Sequence, residues 1–171
     1  MTRNSILLSA LMLLFSIGMS FSQRAFLKIG DIDGEATASG HEAWIVIESL
    51  SHALTQQQST TGTSRRRGNV VLGDLVITKM VDKATPQLME LCAKGQVIPK
   101  VELDMVANNG RVFYKVSLEN VLINRISTNS VCDPECILVN EVALQAAKVK
   151  WEYTDSRGRK VESTYDAQRG N

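Results

Sequence analysis

The sequence predicts a mainly β chain, an antiparallel β-barrel or sandwich with one short α-helix. Three observations predict it. Apolar and polar residues alternate in short runs between Ala25 and Tyr165, turn signals such as Asn108-Asn-Gly110 and Asp155-Ser-Arg-Gly158 separate those runs, and a single segment after Thr85-Pro86 spaces its apolar residues by three and four. The 171 residues, 44% hydrophobic and 22% charged, suit one domain. A domain of this size buries about two thirds of its unfolded surface, enough for one core without covalent staples.

Residues 1–22 read as a secretory signal: Arg3 is the positive end, Ile6 to Ile17 the apolar core, and Ser20-Phe21-Ser22 the small-residue cleavage region. Gln23 then begins a mature single domain, 23–171. The apolar core is shorter than the roughly 20 residues that span a bilayer, so no membrane attachment is expected after cleavage; an uncleaved anchor is one alternative. Another is that Met19 is the true start, which places the chain in the cytoplasm.

Ala25 to Ile29 is the first strand, ended by Gly30-Asp-Ile-Asp-Gly. The acidic Asp31, Asp33 and Glu35 suggest a calcium loop, but in EF-hand register Ile29 and Gly40 occupy the first and twelfth ligand positions, where oxygen donors are required. A turn whose carboxylates satisfy nearby groups is the expectation. Ala43 to Leu50 reads as the second strand. Gln56 to Gly68, with Gly62 and the cluster Arg65, Arg66 and Arg67, contains no apolar residue and reads as an exposed loop. With 19 basic residues against 18 acidic ones the chain has no long-range field for nucleic acid, and three adjacent arginines make a solvated loop tip.

Val70 to Met80 is rich in branched residues and predicts a strand. Thr85 is the expected N-cap of the helix and Pro86 its first residue, with Leu88, Leu91 and Cys92 on one face and Gly95 as the stop. Cys92 on that stripe reads as a small core hydrophobe. Val101 to Val106 and Arg111 to Leu118 form a hairpin about Asn108-Asn-Gly110, Val121 to Ile126 continues the sheet, and Ser127 to Pro134 reads as a turn-rich connection. Asn140 to Tyr153 predicts a long strand whose phase changes between Val142/Leu144 and Val149/Trp151/Tyr153, so a bulge is expected near Ala146-Ala147. Lys148 and Lys150 fall on its wet face. Val161 to Tyr165 closes the sheet.

No catalytic, cofactor or metal motif emerges. His41 and His52 flank a strand without a nucleophile or paired carboxylate at suggestive spacing, and both are expected at the surface or rim. Too few soft ligands accompany the cysteines for zinc. Cys132 and Cys136, in Cys-Asp-Pro-Glu-Cys, are placed to pair across a short turn if the chain is exported; two free thiols are the reduced alternative. The expectation is a protein without cofactor that is not an enzyme.

Two stretches carry a further signal: Ala25-Phe-Leu-Lys-Ile followed by Gly30-Asp-Ile-Asp-Gly-Glu, and Asp74-Leu-Val-Ile-Thr-Lys-Met followed by Val81-Asp-Lys-Ala-Thr-Pro-Gln-Leu-Met. In that order they resemble the haemolysin-coregulated protein (Hcp) family, the tube proteins of bacterial type VI secretion, from about Arg24 to near the C-terminus. The resemblance implies hexameric rings with a central channel, stacked into a tube that carries cargo, with the chain itself, a spike, sheath or effector proteins as partners. It also implies that the Gln56–Gly68 loop reaches neighbouring subunits. The N-terminal 22 residues depart from the family pattern, which motivates a second reading: a binding module exported to the periplasm or medium, independent of a contractile machine. A hydrolase built on the same barrel is a third reading, and it requires a pocket with convergent polar groups.

Overall fold

The computed structural model describes residues 23–56, 70–132 and 134–169. The expected signal, residues 1–22, and most of the expected inter-subunit loop lie outside the described residues. The strands are β1 (Arg24–Ile29), β2 (Ile45–Ile47), β3 (Ser49–Gln56), β4 (Val70–Met80), β5 (Ile98–Val106), β6 (Val112–Cys132), β7 (Cys136–Thr154) and β8 (Lys160–Asp166), and the helix is α1 (Thr85–Lys94). They form one antiparallel curled sheet in the order β2-β1-β5-β6-β7-β4-β3, with β8 beside β7.

The expected second strand, Ala43 to Leu50, is two strands. Ala43 has a φ of 60° and closes a turn in which its N–H donates to the Ala36 carbonyl (2.9 Å), so pairing begins only at Ile45. β2 pairs with β1, placing Val46 opposite Phe26, and β3 pairs with β4, placing Ser49 opposite Thr78. Glu48 lies between them, its N–H donating to the Thr78 carbonyl (2.8 Å). One continuous run therefore supplies both ends of the strand order and draws the curled sheet together.

The core is the inward face of this sheet: Leu27 and Ile29 of β1, Val101 and Leu103 of β5, Leu75 and Ile77 of β4, and Leu88 of the helix are all buried. On β6 the buried set runs Val116, Leu118, then Val121, Ile123, and on β7 it runs Val142, Leu144, then Val149. Both strands change parity together, around Asn120 and Ala147, and Asn120 takes a φ of 52° there. The phase change thus falls where the β7 pattern placed it. The two-against-one register shift, however, lies on β6 between Ile123 and Arg125 rather than at Ala146-Ala147.

Ser127 to Pro134 is not a turn-rich connection. β6 continues to Cys132 and pairs rung for rung with β7 as far as Cys136. Asn129, Ser130, Ile137 and Leu138 are exposed, so this end of the hairpin projects past the core. Its residues lack the one-face-apolar alternation by which a half-buried strand is recognised.

The N-cap is Ala84, which makes no side-chain cap, and Thr85 is the first helical residue rather than the cap. Instead Asp82 Oδ1 accepts the Ala84 N–H (3.0 Å), and the Thr85 hydroxyl faces the interior. At the other end Gly95 is left-handed (φ 58°), its N–H reaching the Cys92 carbonyl and that of Gln96 the Leu91 carbonyl, both 3.2 Å, the paired bonds of a glycine stop. Cys92 is half-buried against the core, as the helical stripe predicts.

Candidate assembly surface

Lys79, near the end of β4, points inward and is fully buried. Its ammonium donates three hydrogen bonds, to the Met80 carbonyl (2.8 Å), Asp82 Oδ1 (2.7 Å) and Thr85 Oγ1 (3.0 Å), which uses every donor it has. The Thr85 hydroxyl donates to Asn140 Oδ1 (2.7 Å), and Asn140 Nδ2 donates to Thr128 Oγ1 (2.8 Å). A buried charge is tolerated when it is paired and its protons are satisfied. The network joins β4, the start of α1, β7 and β6 at the base of the projecting hairpin. Sequence reasoning missed it, because a lysine next to a strand end reads as a solvated residue; the signal was the Lys79/Asp82/Thr85 spacing of three.

Beyond that base, Ile137 and Leu138 of β7 are about half exposed, as are Met80 and, somewhat less, Val81. Met80 pairs with Val139, and the Val81 N–H donates to the Leu138 carbonyl (3.0 Å), so the four exposed residues gather at the root of the hairpin, with Met80 and Ile137 on the face of Val139 and Leu138 on the opposite one. Cys132 and Cys136 are cross-strand partners at the last rung, with Cα atoms 4.0 Å apart and their sulfurs joined. A second projection is the β3–β4 pair, where Leu54 and Val71 are exposed near Gln56. Gln56 ends β3; Gly62, Arg65, Arg66, Arg67 and Gly68 lie outside the described residues.

The outer face of β5 to β8 is a lattice of opposite charges. Lys148 meets Glu119 (3.1 Å), Lys150 meets Glu152 (2.8 Å) and Glu162 (3.0 Å), Lys160 meets Glu152 (3.0 Å), and Lys115 meets Glu102 (3.5 Å) and Asp104 (3.4 Å). Hydrogen bonds from Lys150 and Lys160 lower the Glu152 carboxyl to about 2, and those to Glu152 and Glu162 raise Lys150. Lys148 and Lys150 thus stand on a wet face, and Val149 between them is buried.

His41 is not at the surface. Its ring stacks on Phe26 (4.7 Å between centroids), meets Trp44 edge-on (4.8 Å), and its Nε2 lies 3.0 Å from Asp104 Oδ2. The chain from Ala36 to Trp44 folds back over Phe26, which an apolar pattern confined to strands does not reveal. His52 is half-buried 6.0 Å from Trp151, and burial lowers its pKa. Asp33 pairs with Lys28 (3.2 Å) and Glu35 accepts the Lys83 N–H (3.3 Å), so these two carboxylates serve the loop. Among the described residues no three His, Cys, Asp or Glu side chains gather as metal ligands. A groove of about 480 Å³ runs between the end of α1 and Gly30–Ile32 and is lined by Leu91, Val97 and Ile98 with the paired Glu90 and Lys94.

Among the described residues, a curled antiparallel sheet with one helix, two projecting strand pairs and a charge-laced outer face defines a protein whose distinctive features are surfaces. The chain belongs to the Hcp family: residues 26–153 match the family model described as "Type VI secretion system effector, Hcp". Protein hcp1 of Pseudomonas aeruginosa is 32% identical over 132 residues, 75% of this chain and 81% of that protein. Among solved structures, Hcp1 from Salmonella typhimurium superposes with a TM-score of 0.76 at 26% identity, covering 88% of this chain and 98% of that one. A type VI secretion system effector from Yersinia pestis has a TM-score of 0.71 at 19% identity, over 83% and 98% of the two chains, a likeness of fold.

Proposed function

We propose that this protein is a self-assembling structural component of a type VI secretion apparatus, forming hexameric rings that stack into a tube or leave the cell as part of it. Family membership supports the reading, and so does the surface. In a head-to-tail ring one patch of each subunit meets a different patch of its neighbour. The protein offers such unlike faces: the apolar neighbourhood of Met80, Val81, Ile137 and Leu138, the β3–β4 projection, and the ion-paired outer face. Side chains that meet only other copies of the chain do the work, without bond-making.

The partners in this reading are further copies of the chain first, then spike, sheath or effector proteins. The N-terminal 22 residues serve export if they are cleaved before Gln23. Sedimentation of the purified protein at rising concentration tests the assembly: a mass six times that of the subunit is expected, and a monomer at every concentration refutes it. Intact-mass measurement on cell fractions tests the route. A chain starting at Gln23 places it in general export, and one starting at Thr2 or Met19 places it in the cytoplasm before secretion.

A further inference from the structure

Among the described residues, the last rungs of the β6–β7 hairpin receive no support from the rest of the sheet. β4 pairs with β7 only as far as Val139, with one further bond from the Val81 N–H to the Leu138 carbonyl. The rungs Val131–Ile137 and Cys132–Cys136 therefore have only each other, and Cys132, Pro134, Glu135, Cys136, Ile137 and Leu138 are exposed. An unsupported two-stranded ribbon in water is marginal. Here the outermost rung is covalent, and a crosslink over so few residues constrains only its own neighbourhood.

We propose that the Cys132–Cys136 disulfide is a redox lock on this hairpin tip: oxidised, it holds the rungs that display Ile137 and Leu138, and reduced, it lets them fray. Both cysteines are exposed, so a thiol or disulfide reagent reaches them directly. The oxidant is a disulfide-bearing molecule. One cysteine thiolate attacks it, forming a mixed disulfide and expelling one reduced thiol; the second thiolate then attacks the mixed disulfide and expels the other. Two protein thiols become one disulfide, and the oxidant's disulfide, taking up two electrons and two protons, becomes two thiols. Cys92, half-buried on the helix, stands outside this exchange. The effect on ring formation rests on the self-assembly reading above, whereas the lock itself does not.

The test is hydrogen exchange of the full mature chain treated with glutathione disulfide or with a phosphine reductant, beside the C132S/C136S variant, with sedimentation of the same samples. Reduction should speed amide exchange in residues 130–138 about tenfold and leave Leu103 and Val116 unchanged, and the variant should behave as reduced under both treatments. Equal exchange in the two states overturns the lock, and so does a disulfide that joins chains instead of closing within one. Unchanged exchange with full assembly in both states removes the lock and leaves self-assembly standing. A redox-sensitive tip on a chain that stays monomeric in both states does the reverse.

Discussion

Lys79 and Glu152 show how differently a charge behaves in the interior and on the outer face. Lys79 is enclosed, and its three bonds anchor a network that, through Thr85, Asn140 and Thr128, joins four elements. Removing one partner of a buried, satisfied pair strands the others, at a cost of about 3–5 kcal/mol. Lys79→Met should lower the unfolding free energy read from urea melts by that amount, through a lower midpoint at unchanged slope; a loss under 1 kcal/mol would show that the network contributes little. Glu152 lies on the outer face, with a pKa of about 2 in the folded chain against an ordinary value of 4.5. Its folded pKa is depressed, so its contribution is fully present above pH 4.5 and is lost as pH falls through about 2. Glu152→Gln should flatten the fall in stability between those limits, as read by urea melts at pH 5 and pH 2.5; parallel curves for the two proteins would contradict the ion-pair account.

At the scale of elements, strand positions were legible wherever one face is buried and the other wet, as in β1, β5 and the first half of β6. Legibility ended where that contrast ends. The outer half of the β6–β7 hairpin has both faces exposed and reads as a loop, and the Ala43–Leu50 run hides a change of partner at Glu48 that no periodicity records. The helix stop was visible because a left-handed residue favours glycine, whereas its start was misread because the Thr85 hydroxyl is committed to Asn140 and Lys79. Gly95→Ala should therefore cost about 1 kcal/mol, measured as a shift in thermal or urea midpoint, since nothing crowds the added methyl. Gly34 differs: a Cβ there would collide with the backbone of Trp44 and Ile45. Gly34→Ala should displace the loop that carries His41 and reduce the yield of folded protein, and a normally folded variant would show that this close approach is dispensable.

For the whole molecule, the resemblance to the Hcp family rested on two short stretches, Ala25–Glu35 and Asp74–Met89. In this chain the second stretch holds Lys79, Asp82 and Thr85, which build the buried junction. The candidate surface was less legible, because Met80 and Ile137 come to share one face only when strands far apart in sequence pair, with Leu138 exposed on the opposite face of the same hairpin. If that neighbourhood joins copies of the chain, the double variant I137D/L138D should lower the assembled mass in sedimentation while the melting of the subunit stays within about 0.5 kcal/mol, as exposed substitutions generally do. Unaltered assembly would move the interface elsewhere.

The seam at Glu48 carries one more consequence. Because β2 and β3, the two ends of the main strand order, are neighbours on the chain, slack released at one of these ends is transmitted through a single residue to the other, while β8 and the hairpin tip lie off that circuit. Amides as distant as those of Leu27 and Ile77 should consequently exchange through the same global opening, and a chain wired in this way meets a pull at either border as one body.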